Sequence, residues 1–292
     1  MILCKNLSRT FDEDGVFDID LRVEKGQALG LLGPAGAGKS LLLRVLSGQL
    51  RADMGEATVF GLDCWLKRHE TFKKMVYIPV APALEPGQTG EQTLNFYASY
   101  HGGFNPEKAR RLTEKLDITL TGANKRSSTE ARKKLGLLCG LSLDANVYLL
   151  DEPFNGLSAN AKNAVLDFLL ELRKAGAAIL LTSHVLEEVR RSCSHVAIIR
   201  KGRLVVTQPV EALSLTRQKV YHITFKSPDE AAAFAAEWEA ATELIGSRAL
   251  VAIPASPQTL LRTLARYEVV DLIGGREEAE EGFLRFYGDD IV

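Results

Sequence analysis

The chain has 292 residues, of which 46% are hydrophobic and 25% charged, the balance of a soluble globular protein with apolar material for one large domain or two smaller ones. Its formal net charge of −1 gives no bulk attraction to nucleic acid or anionic lipid, so no nucleic-acid partner is expected. The longest apolar stretches (135–143 and 175–183) are too short to span a bilayer, the N-terminus lacks a signal-peptide pattern, and Cys4, Cys64, Cys139 and Cys193 have no metal-type spacing, which together predict a cytoplasmic chain with reduced thiols.

Residues 1–26 read as β-rich, with apolar–polar alternation in GVFDIDLRVEKG. QALGLLG (27–33) has the continuous apolar character of a buried strand, and KSLLLRVLSGQ beyond it reads as a helix. GEATVFGLDCW (55–65) returns to short strands, and MVYIPV (75–80) is a further apolar one. From about Thr89 to Ser142 the spacing turns helical, a separate lobe at about 85–142. Strand and helix then alternate through VYLLDEP, NAVLDFLLELRKAG, AAILLTS, VLEEVRRSC and HVAIIRKGRLV, which argues for a parallel sheet flanked by helices. Near 211–219 the character shifts. The tail reads strand, helix, strand, strand, helix, strand, then a helix over EEAEEGFLRFYG, an order that fits a small α+β ferredoxin-like domain. The expected division is therefore 1–213 and 217–292.

The stretch Gly33-Pro34-Ala35-Gly36-Ala37-Gly38-Lys39-Ser40 fits the phosphate-loop pattern G-x-x-x-x-G-K-[ST] at every fixed position, and it lies between a strand and a helix start. In that setting backbone N–H groups converge on phosphate oxygens and the helix dipole adds to the attraction. Lys39 is expected on the β- and γ-phosphates and the Ser40 hydroxyl on Mg²⁺. VYLLDE (147–152) is an apolar strand ending in two carboxylates: Asp151 is placed for the Mg²⁺ shell, and Glu152 for a general base that polarises an attacking water. His184 ends the strand AAILLTS, where a neutral imidazole would donate to the γ-phosphate and orient the water.

In this order, with a helical insertion between the first two, GPAGAGKS, VYLLDEP and LTSH resemble the ATP-binding subunit of an ABC transporter over roughly residues 1–210. The resemblance implies a P-loop NTPase fold with a RecA-like lobe, an antiparallel β lobe and a helical lobe. It implies ATP and Mg²⁺ as ligands, a separate integral-membrane permease, and a second ATP-binding subunit as partners. It also puts Phe11 where these subunits place an aromatic that stacks on adenine, a core position being the equal alternative. The tail EEGFLRFYG resembles that of ATPase subunits serving ABC-2-type exporter permeases, with an amphipathic closing helix carrying Phe283, Leu284 and Phe286 as the plainer reading.

Three family elements are altered. Val80 stands where the family ends a strand in glutamine, and Gln88 and Gln92 lie too far along to substitute. The signature segment, normally Leu-Ser-Gly-Gly-Gln, becomes Ser127-Ser128-Thr129-Glu130-Ala131: Ser128 keeps the serine position, the one the family uses on a partner's nucleotide, and both glycines are gone. Ser127-x-x-Glu130 is itself a capping box, so the helix end is expected to satisfy itself, Ser127 accepting from helix N–H groups and Glu130 reaching back to the cap. Ser158 replaces the aspartate that usually couples the two sites of a dimer.

The reading is an ATP-binding and hydrolysing subunit that drives export through a permease, weak when alone. Pairing with a different ATP-binding subunit is preferred over a homodimer. The alternative is a slow or non-hydrolysing nucleotide sensor that gates a permease. A soluble ATPase of translation or DNA repair would carry two ATP-binding domains or a coiled coil, which this chain lacks.

Overall fold

The computed structural model describes residues 1–11, 14–121, 128–214, 219–238, 242–253 and 258–276. Two long strands open the chain, β1 (Ile2–Phe11) and β2 (Asp14–Val23), paired antiparallel. The five wholly buried residues of β3 (Ala28–Leu32) run into the glycine-rich loop and α1 (Lys39–Leu46). β4 (Met54–Val59), β5 (Leu62–Asp63), α2 (Arg68–Phe72) and β6 (Met75–Ile78) follow. Three helices come next. α3 (Gly90–Ser99) starts with a reciprocal capping box between Thr89 and Gln92, and α4 (Pro106–Leu116) has Asn105 as its cap and proline in its first turn. The third is α5 (Thr129–Leu141).

β7 (Val147–Leu150), α6 (Ala159–Lys174), β8 (Ala178–Ser183), α7 (Leu186–Ser192), β9 (His195–Arg200) and β10 (Arg203–Pro209) complete the first of two units, Met1–Val210 and Glu211–Val292. Its six-stranded sheet has the order β10-β9-β3-β8-β7-β6, parallel except for the edge hairpin of β9 and β10. Covered on both faces, the central strands carry no polar alternation; β7 and β8 are buried at every position. The smaller sheet, β2-β1-β4-β5, is antiparallel. Residues of both sheets and of α1 form one core, including Leu7, Ile19, Leu31, Leu43, Val59 and Leu180.

α8 (Val210–Ser214) spans the division. The second unit contains β11 (Lys219–Phe225), α9 (Pro228–Glu237), β12 (Thr242–Ile245), β13 (Arg248–Ile253), α10 (Gln258–Leu264) and β14 (Val269–Arg276). Its order β12-β13-β11-β14, with every neighbour antiparallel, is the ferredoxin-like arrangement. Ile223, Phe225, Phe234, Val251 and Leu260 form a core of its own. The helix expected over EEAEEGFLRFYG lies outside the described residues. Among the described residues, no helix is long and apolar enough to cross a membrane.

Candidate nucleotide site

Strand register builds the site. Leu32 of β3 pairs with Ser183 of β8, and Leu150 of β7 with Leu181 of β8. The next residues along therefore emerge side by side at one edge: Gly33, Asp151 with Glu152, and Thr182 to His184. This is the carboxyl edge of a parallel sheet, where ligands bind in open α/β folds.

The loop from Gly33 to Ser40 wraps that edge. The Gly33 N–H donates to the Ser183 carbonyl at 3.3 Å, and the Ala37 N–H to the Pro34 carbonyl at 3.3 Å. Gly38 holds φ 96°, and a Cβ there would meet Val16 Cγ1 at 2.7 Å, so the position needs glycine on both counts. As the residue before α1, Gly38 has no side chain to cap the helix. The first intrahelical bond runs from the Leu42 N–H to the Gly38 carbonyl, 3.0 Å, so the N–H groups of Lys39, Ser40 and Leu41 have no carbonyl within the helix to bond. Ala35, Gly36 and Ser40 are exposed at the mouth, while Lys39 is buried beneath it.

The charged groups converge. Lys39 Nζ donates to the Gly33 carbonyl at 2.5 Å and the Pro34 carbonyl at 3.0 Å, and lies 3.3 Å from Glu152 Oε1. Glu152 sits at φ 46°, an uncommon left-handed conformation for a side-chain-bearing residue. Its other oxygen, Oε2, is 2.9 Å from His184 Nδ1. A carboxylate only accepts, so the imidazole carries its proton on Nδ1 and donates it to Glu152. This corrects the sequence expectation for His184. In this geometry a neutral ring spends its one N–H on Glu152 and presents a lone pair at Nε2, so donation to a phosphate from Nε2 requires the imidazolium form.

Asp151 is 2% exposed and held by a residue that the motif reading did not single out. Thr182 Oγ1 donates to Asp151 Oδ1 at 2.7 Å and accepts from the Glu152 N–H at 2.9 Å, bridging the two acidic residues. Lys133 of α5 was also missed. It is 4% exposed, and burial pushes its ammonium down to about 8 against the opposing pull of Asp151 and Glu152. Ammonium, exposed helix-start N–H groups, hydroxyl and buried carboxylate together suit a phosphate chain with a hard divalent cation.

Phe11 and Ser128 lie outside this hydrogen-bonded cluster. Phe11 is 47% exposed with the Arg9 guanidinium 4.6 Å above its ring, so it is not a core residue. Ser128 is the cap of α5 and accepts from the Ala131 N–H at 3.1 Å. The capping box expected on Ser127 is thereby corrected: the helix does cap itself, but one residue later, and Ser127 lies outside the described residues. Glu130 does not reach back to the cap. Its Oε1 accepts from the Ser158 N–H at 3.0 Å, at the start of α6, and lies 3.5 Å from Lys134 Nζ. The Ser158 N–H, with help from Lys134, holds the Glu130 carboxyl below the usual carboxylate range. Val80, past the end of β6, is 39% exposed.

Residues 16–155, which include the phosphate loop and both acidic residues, match the family model described as ABC transporter. A solved structure titled as the ATP binding subunit of an ABC transporter is 26% identical and superposes with a TM-score of 0.68, over 73% of this chain and 91% of that one. The chain belongs to the ABC transporter ATP-binding family. Among the relatives of this ABC protein, the uncharacterized ABC transporter ATP-binding protein YhcH of Bacillus subtilis is 28% identical over 278 residues, 93% of this chain and 90% of its own length. That alignment is longer than the first unit, so it extends into the second. The daunorubicin resistance ATP-binding protein DrrA3 of Streptomyces coeruleorubidus is 31% identical over 69% of this chain and 66% of its own length. The dimeric cassette MJ0796, at 15% identity and a TM-score of 0.65, shares the fold.

Proposed function

We propose that this ABC ATP-binding protein hydrolyses ATP to drive export through a separate membrane permease, which would hold it at the cytoplasmic face of the membrane. One observation carries the reading: beneath a glycine-rich phosphate loop, Glu152 lies 3.3 Å from Lys39 through one carboxylate oxygen and 2.9 Å from His184 through the other. Export as the direction is supported by the relatives named for drug resistance and for Nod factor export.

In this reading the Lys39 ammonium and the loop N–H groups bind the phosphates, and Phe11 offers an exposed face to adenine. Ser40 and Asp151 would hold Mg²⁺, whose charge would offset that of the phosphates. Glu152 takes the proton of the attacking water, and His184, hydrogen-bonded to Glu152, fixes the direction of its carboxylate.

The signature segment supports an asymmetric assembly. Ser128 caps its own helix, and Glu130 stands where the family has a glycine, its carboxylate turned to the Ser158 N–H, so this chain offers a partner's γ-phosphate a poor lid. We therefore assign it a second ATP-binding subunit with a glycine-bearing signature, in preference to a copy of itself. The test is Glu152→Gln in the complex copurified with its membrane partners. Loss of ATP turnover and of transport supports the hydrolase. Unchanged transport supports a nucleotide sensor instead.

A further inference from the structure

Lys133 Nζ donates to the Val80 carbonyl at 2.9 Å, the Asp151 carbonyl at 3.3 Å and the Pro79 carbonyl at 3.5 Å. A lysine ammonium has three N–H donors, and each finds a backbone oxygen. Two of the acceptors lie past the end of β6, in the segment where Val80 replaces the family's glutamine. The third belongs to the acidic residue just past β7. Burying an ammonium is unfavourable unless its donors are met by acceptors, as all three are here. What the ammonium adds is a directed tie between three segments. Lys133 sits five residues past Ser128, the cap of α5, on the same rigid helix. Any shift of the signature end of α5 against the sheet therefore pulls on the Asp151 main chain or breaks these bonds. Val80 has no side-chain donor or acceptor with which to make the link.

We propose that Lys133 is a positioning residue, tying the signature helix α5 to the exits of β6 and β7 and holding the Asp151 main chain so that its carboxylate is aimed for the divalent cation. This rests on the ATPase reading above. Groups that hold a metal ligand from behind commonly change metal affinity by roughly 10–100-fold when removed.

The test uses the full chain as wild type, Lys133→Met and Lys133→Arg. ATP affinity is measured in EDTA, Mn²⁺ affinity in the presence of ATP by paramagnetic resonance, and thermal stability in parallel. Lys133→Met, which leaves three backbone carbonyls without a donor, is expected to melt below wild type, to bind metal-free ATP within twofold of wild type, and to lose about tenfold or more in Mn²⁺ affinity. Lys133→Arg, which keeps donors at the site, is expected to recover most of that loss. Mn²⁺ affinity within twofold of wild type in Lys133→Met overturns the proposal, as does an equal loss in Lys133→Arg. If Lys133→Met fails to fold, Lys133→Gln carries the decision: weakened Mn²⁺ binding with ATP affinity kept supports the tie, and unchanged Mn²⁺ binding overturns it. A wild-type chain that does not bind ATP would sink the ATPase reading itself, a result distinct from a null effect at position 133.

Discussion

Glu152 is held from two sides, by Lys39 at 3.3 Å and His184 at 2.9 Å, on a left-handed backbone that aims it away from the run of β7. Glu152→Gln keeps the shape and removes the base. ATP turnover is expected to fall by about 10²–10⁴, with ATP affinity changed only a few-fold, read from single-turnover kinetics and equilibrium binding. Thr182 is the polar hinge beneath it. Thr182→Val fills the same space but leaves Asp151 Oδ1 and the Glu152 N–H without their buried partner, so a loss of about 1–3 kcal/mol in denaturant unfolding is expected, together with slower turnover. Glu130 makes a pH-dependent contribution. Its carboxyl is lowered from 4.5 by the Ser158 N–H, so the folded chain binds the proton less readily than the unfolded one. The stabilisation is present above the unfolded value and is lost as pH falls through the folded one. Glu130→Ala should therefore melt below wild type at neutral pH, and the gap should close under acid conditions, as followed by melting temperature against pH. A gap that persists unchanged once the carboxyl is protonated in both the folded and the unfolded chain would contradict the Ser158 contact as its source.

At the scale of elements, α5 packs so closely on β6 and on the segment just past it that two of its positions suit glycine. A Cβ on Gly140 would lie 2.3 Å from Ile78 Cδ1, and one on Gly136 would lie 2.2 Å from Pro82 Cγ. Gly140→Ala is therefore expected to cost about 1–3 kcal/mol by overpacking, measured by chemical denaturation. The phosphate loop, the paired carboxylates and His184 are legible in the sequence because each is bounded by strand or helix signals that fix where the side chain emerges. The cap of α5 was not. Ser127 and Ser128 are both acceptable caps, and moving the start by one residue takes Glu130 off the capping-box position, so its carboxylate turns across to α6. Thr182 became legible only through the pairing of β7 with β8, which sets it level with Asp151. Lys133 could not be found from its own helix, since its partners are backbone oxygens some 18 and 53 residues away. The exposed ring of Phe11 depended on which face of β1 turns outward, a matter of tertiary packing.

For the whole molecule, each unit has its own core, one around Leu31 and Leu180 and the other around Phe225 and Phe234. A chain ending at Ser214 retains every residue of the phosphate site, and its ATP affinity is expected within threefold of the full chain by equilibrium titration. The tail β-α-β-β-α-β order was readable from strand and helix spacing alone, whereas the placing of β11 between β13 and β14 emerges only from pairing. The first unit is lopsided: Lys39, Glu152 and His184 converge at the phosphate loop, whereas Ser128 is occupied in capping its own helix, α5. The most direct measurement is ATP turnover per bound ATP for the purified full chain, compared with the same chain in its native transporter complex. The account predicts about one ATP bound per chain and turnover at least roughly 100-fold slower than in the complex, the usual consequence of a missing preorganised donor. Turnover by the isolated chain that equals that of the complex would contradict it.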